Sequence, residues 1–376
     1  MKITEIESIP VQVPLKSTRH TRTAHGDHVT SDYVIIRIRT DVGIEGLGEA
    51  TVAPRWSGET SGSCVFAIKK LIGPALIGRD PTDVNAACAA MDRVIKLNPF
   101  TKAGIEMALW DIAGKAVGVP VYQLLGGKVR DVIPTKMVIG AYDLDQVRTL
   151  AQEFLSLGVQ TLKVKTGIDL EGDIARVKAV RETAGPDVRI TIDSNCGWSF
   201  STARHALERL QPFGVLVAEQ PIPPGNNSAM ARLRESSRIP IMADESAFTL
   251  ADAWNLLREG AVDVISVYPG KNGGIGPSVE IAKVAKAAGV ACHIGSNLEL
   301  GIGTAAMIHL ACSVANIDSE TYPSDILGPH YHVADLLKTP LSLGVEGAKI
   351  PTGPGLGVDL DEEQLKLYRV DTGKPA

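Results

Sequence analysis

From residue 133 onward, short apolar runs alternate with amphipathic segments at intervals of under thirty residues. The runs are Ile133 to Ile139, Thr161 to Thr166, Val188 to Asp193, Val215 to Glu219, Pro240 to Asp244, Val262 to Val267 and Val290 to Ile294. Between them, Gln146 to Leu157, Ile174 to Thr183, Ser201 to Leu210, Thr249 to Glu259 and Ser278 to Ala288 carry helical periodicity. Seven consecutive βα units restrict the chain to a parallel sheet, either a doubly wound open sheet or a (β/α) barrel. No GxGxxG follows the first strand, and polar residues end one strand after another, as at the mouth of a barrel. The barrel is therefore expected.

The second run reads Thr161-Leu-Lys-Val-Lys-Thr-Gly167. Alternate side chains of a strand share a face, so Lys163 and Lys165 emerge side by side. Their mutual repulsion favours the neutral form of at least one, as proton transfer requires. Taken alone, the pair fits a solvent-facing edge strand equally well. The following strands argue against that. They end in Asp193-Ser-Asn195, Glu219-Gln-Pro221 and Asp244-Glu245, one acid from each of three neighbours. Three carboxylates converging on one mouth are costly unless a cation compensates them. All-oxygen ligation suits Mg²⁺, with Mn²⁺ a possible substitute. Asn195 and Glu245 are then expected beside the metal or the substrate. The next strand ends Tyr268-Pro-Gly-Lys271, which brings a third lysine into the mouth from the side opposite Lys163 and Lys165. A carboxylate on the metal would have its weakly acidic neighbouring carbon flanked by a lysine on either face.

The first 128 residues have another texture and read as an α+β capping domain. Ile3 to Val13, Tyr33 to Arg39 and Ile44 to Ala50 alternate as an antiparallel meander, followed by helical patterns over 64–77, 81–97 and 100–117. Between the first two strands lies a long polar stretch, Lys16 to Ser31, the kind of loop that serves as a lid. Its Arg22, His25 and His28, with Arg55 and Trp56 of the irregular 53–58 stretch, are candidates for meeting the distal part of a substrate. Residues 129–340 form the barrel domain. The glycine- and proline-rich tail, within 341–376, is expected to pack back on the cap.

The net charge is −5 with mixed signs, which gives no footprint for nucleic acid or a membrane surface. No apolar run reaches the roughly 20 residues of a membrane span, and the start lacks the apolar core of a signal peptide. Five scattered cysteines form no CxxC pair and read as reduced thiols of a cytoplasmic protein.

The order Lys163-x-Lys165, Asp193-x-Asn195, Glu219-Gln-Pro221, Asp244-Glu245, Lys271-x-Gly-Gly274 resembles the enolase superfamily, specifically its muconate-lactonizing subgroup. Leu124-Leu-Gly-Gly127 and Gly353-Pro-Gly-Leu-Gly357 carry the same resemblance, which spans essentially the whole chain. It implies an α+β cap over a modified (β/α)₇β barrel of TIM type, enolate intermediates and Mg²⁺. By motif position Asp193, Glu219 and Asp244 become ligands, Lys165 the acid/base on one face and Lys271 its counterpart. Lys163 would tune Lys165 and contact the substrate carboxylate. The mandelate racemase branch uses an Asp–His pair where Tyr268 and Gly295 stand here, and His293 is expected inside the barrel instead. The segment Gly295 to Thr304 is similar to the Met-Leu-Glu-Gly-Gly-Ile-Gly-Thr pattern of muconate cycloisomerases, with Asn297 for Met and Leu300 for Gly. Asp325-Ile-Leu-Gly-Pro329 is similar to their Glu-Leu-Phe-Gly-Pro. These segments add Asn297, Glu299, Tyr268 and Asp325 to the residues expected near substrate.

A muconate-type cycloisomerase acting on a small carboxylate is the leading expectation. Racemisation or epimerisation of an amino-acid derivative, and dehydration of a hydroxy acid, use the same parts. A non-catalytic binder has no reason to hold three acids and three lysines in register. The resemblance also implies a homo-oligomer.

Overall fold

The computed structural model describes residues 1–371. Strand β1 (Ile3–Pro14) pairs antiparallel with β4 (Thr30–Thr40), which pairs with β5 (Glu45–Ala50). The long polar stretch between β1 and β4 is a small hairpin, β2 (Thr21–Thr23) and β3 (Gly26–His28). The helix Pro99–Val117 packs across this sheet where Gly46, Gly48 and Gly104 remove side-chain bulk. A Cβ on Gly48 would stand 1.8 Å from the Gly104 carbonyl oxygen, so only glycine permits this approach.

Seven parallel strands follow, in the order β7 (Met137–Ile139), β8 (Thr161–Lys165), β9 (Arg189–Asp193), β10 (Val215–Glu219), β11 (Ile241–Ala243), β12 (Val264–Val267) and β13 (Ala291–Ile294). An eighth position is filled by irregular chain. Cys292 donates to Asn316, Asp318 to Cys292, Asp325 to Ile294, and on the other side Ser324 donates to Pro134 and Lys136 to Ser324. Residues 316–325 thus join β13 to β7. The architecture is the expected barrel with a cap.

One strand differs from its sequence expectation. The run Ile133 to Ile139 is divided at Pro134, which has no N–H to give a ladder. Val132–Ile133 (β6) pairs antiparallel with Gly347–Lys349, and only Met137–Ile139 enters the barrel. The helices Asn227–Ser236 and Gly301–Ser313 were not among the periodic segments. The second is apolar on every side and buried almost throughout, so it has no amphipathic stripe to read.

The end of the tail lies on the cap, whereas its Gly347–Lys349 strand pairs with β6 at the start of the barrel segment. Helix Glu362–Tyr368 is tied to β4 by the Arg37–Glu362 ion pair, and Val370 donates to Pro10 of β1 at 3.0 Å. Among the described residues no helix is long and apolar enough to cross a membrane.

Candidate active site

The C-terminal ends of the barrel strands face the β2–β3 hairpin and the 51–56 segment of the cap, enclosing a cavity of about 440 Å³. Lys163, Lys165, Asn195, Asn297 and Asp325 line it from the barrel, and His25, His28, Arg55 and Trp56 from the cap. Parallel register sets the charged residues level: Lys165 pairs with Asp193, and Asp193 with Glu219. The three acids are buried, at 1–3% exposure.

Lys163 Nζ donates to Glu219 at 2.9 Å and to Asp325 Oδ2 at 2.9 Å, and lies 3.1 Å from Asp193 Oδ2. Burial works against its charge, but the three carboxylates outweigh it and hold the ammonium well above the ordinary lysine range. Repulsion between the paired lysines therefore does not neutralise Lys163. Lys165 Nζ donates to Asp193 Oδ2 at 2.6 Å and Asn195 Oδ1 at 2.8 Å. An ammonium has three protons, and Lys165 stands on the cavity wall with one still to place.

Lys271 sits on a short turn of helix after β12, four barrel positions from β8 and so across the mouth from it. Its Nζ donates to Asp244 Oδ1 at 2.6 Å, to the Asp244 carbonyl at 2.8 Å and to the Ser266 carbonyl at 2.8 Å. All three protons are used, and the side chain is fully buried.

Burial and the neighbouring acids push Glu219 up to about 8 despite the pull of Lys163. Three buried carboxylates converging on one mouth are the oxygen donor set a hard divalent cation takes. The residues fit such an ion.

The other expected residues divide. Tyr268 is buried beneath the cavity with its ring edge on Trp56. Glu299 turns into its own loop, accepting from Ser296 Oγ and the Asn297 N–H, because a buried carboxylate needs donors and its backbone supplies them. Arg22 points to solvent beside Asp27. Glu245 accepts from Asn195 at 3.0 Å, at the rim. His293 lies inside the barrel, as expected.

Lys136 was missed. It is 2% exposed immediately before β7, with Nζ 2.5 Å from His293 Nε2, 2.7 Å from the Pro323 carbonyl and 3.3 Å from Asp325 Oδ1. Its signal was a lone lysine inside an apolar strand.

A barrel whose mouth holds three strand-end acids flanked by lysines, under a cap that closes it, defines an enzyme of the enolase type. Residues 5–126 match the mandelate racemase / muconate lactonizing enzyme N-terminal domain, and residues 146–364 the enolase C-terminal domain-like family. The chain belongs to the enolase superfamily, in its muconate-lactonizing subgroup. It is 32% identical to muconate cycloisomerase 1 of Rhodococcus opacus over 98% of both chains. It is 31% identical to an N-succinyl-L-Arg/Lys racemase of Bacillus cereus, again over 98% of both. A muconate lactonizing enzyme from Pseudomonas fluorescens complexed with muconolactone superposes with a TM-score of 0.94 at 36% identity, covering 98% of this chain and 99% of that one.

Proposed function

We propose that the protein is a Mg²⁺-dependent cycloisomerase of the muconate type, in which Lys165 alone exchanges the proton. Asp193, Glu219 and Asp244 would hold the ion, with Mn²⁺ a possible substitute. When bound, it supplies positive charge against the enolate that develops on a substrate carboxylate. Lys165, anchored by Asp193 and Asn195, presents its remaining N–H to the carbon next to that carboxylate. In the lactonizing direction one carboxylate oxygen adds to the double bond, and Lys165 delivers a proton to the α-carbon. It then regains one from solvent. In reverse, Lys165 takes the α-proton and the ring oxygen leaves. Lys163, held by carboxylates on the cavity wall, stays charged and adds positive charge beside the substrate carboxylate.

The observation that carries this reading is the asymmetry of the lysines. Lys165 reaches the cavity, whereas Lys271 is buried with every proton engaged. One-face chemistry needs one base, and racemisation needs two. Proton NMR of the Mg²⁺-loaded enzyme with cis,cis-muconate in D₂O tests it. Muconolactone with deuterium on a single face of the new methylene is expected. Unchanged muconate, with α-proton exchange in N-acylamino acids, would establish the racemase reading instead.

A further inference from the structure

A second constellation stands at the rim of the mouth. His25 lies at the tip of the β2–β3 hairpin, Cys196 in the loop after β9 and Glu245 in the loop after β11. One ligand atom from each, imidazole nitrogen, thiol sulfur and carboxylate oxygen, lies within 4.8 Å of the others. His25 Nε2 is 3.4 Å from Glu245 Oε1. The Glu245 side chain is 8% exposed, and its Oε2 is buried without a hydrogen-bond partner.

The backbone holds the three in place. Cys196 has φ +66°, an uncommon conformation for a residue with a side chain, and its N–H is fixed on the Gln220 carbonyl at 3.0 Å. The hairpin tip is seated tightly beside it: a Cβ on Gly197 would lie 2.8 Å from Ala24 Cβ. The His25 N–H is pinned to Thr23 Oγ1 at 3.0 Å.

We propose that His25, Cys196 and Glu245 form a second cation site, for a borderline transition-metal ion of the zinc class, that latches the hairpin to the barrel. Mixed N, S and O donors select such an ion over the hard cation suited to the acid trio. Binding displaces the thiol proton to solvent and leaves a fourth position for water, with no change of oxidation state. Because Glu245 also accepts from Asn195, which in turn accepts from Lys165, the latch reaches the proton-transfer lysine through two hydrogen bonds. Occupation therefore restrains the hairpin and slows turnover. The site requires no assumption about the substrate.

Cobalt(II) titration of the Mg²⁺-saturated protein tests it, since a thiolate ligand adds a charge-transfer band in the near ultraviolet. One equivalent generating that band, bleached by equimolar Zn²⁺, is expected. Cys196→Ser should abolish the band with fold and basal turnover unchanged, and His25→Gln should keep it while weakening cobalt at least tenfold. Absence of a thiolate band in the wild type, its persistence in Cys196→Ser, or undiminished affinity in His25→Gln would overturn the site.

Discussion

Glu106, on the long cap helix, accepts the backbone N–H of Ile275 at 2.8 Å, where a barrel helix begins. It also accepts from Gly276 and from the Trp110 indole, and is fully buried. Burial pushes its carboxyl from 4.5 up to about 7. An acid whose folded pKa is raised contributes stability that is complete below pH 4.5 and lost as pH climbs to about 7. Glu49 behaves alike, pushed by burial to about 8 while accepting from Leu300 and Gly303. Urea midpoints should therefore fall between pH 5 and 8, and Glu106→Gln should flatten the fall by up to about 3 kcal/mol. An unchanged slope in the variant would remove Glu106 from the account.

Lys165→Ala should cost about 10²–10⁴-fold in turnover, the usual worth of a positioned acid/base, with circular dichroism unchanged. Lys271→Ala should cost far less in lactonization. Equal losses, with exchange from both faces of the α-carbon, would point to two-base chemistry.

Gly167 closes the lysine strand with φ +88°, and a Cβ there would lie 2.2 Å from the Ser194 carbonyl oxygen. Backbone must move to admit it. Gly167→Ala should lower stability by about 1–3 kcal/mol. It should also reduce turnover more than Km changes, since Ser194 directly precedes the asparagine that positions Lys165. Thermal melts and steady-state kinetics measure the two effects separately.

Removing the Lys136 charge leaves the His293 nitrogen inside the barrel without its donor and Asp325 with Lys163 as its remaining cation. Lys136→Met should destabilise by roughly 3 kcal/mol, and Lys136→Met with Asp325→Asn by less than the two single losses added. Denaturant curves of the four proteins give the coupling, and additivity would mean the pair is not linked.

The barrel, the meander and the charged mouth were legible because each rests on local periodicity and strand-end chemistry. Lys165, Asp193 and Glu219 share a level through parallel register, which a one-dimensional reading can follow. The division at Pro134 was not legible, because β6 takes its partner from residues 347–349, more than two hundred positions away. Lys136 escaped for a related reason, since its acceptors come from 293, 323 and 325. Glu299 was placed near substrate because sequence order cannot tell which way a loop carboxylate turns.

Strand β1 finds a neighbour in the last described turn of the chain, through Val370 on Pro10 and a bridge between Val11 and Arg369. During synthesis the first strand emerges some 350 residues before the segment that completes its edge. The edge of the cap sheet of a nascent chain thus remains open until that segment is made. A nascent chain halted before Arg369 would display the barrel under a cap sheet with one edge still open.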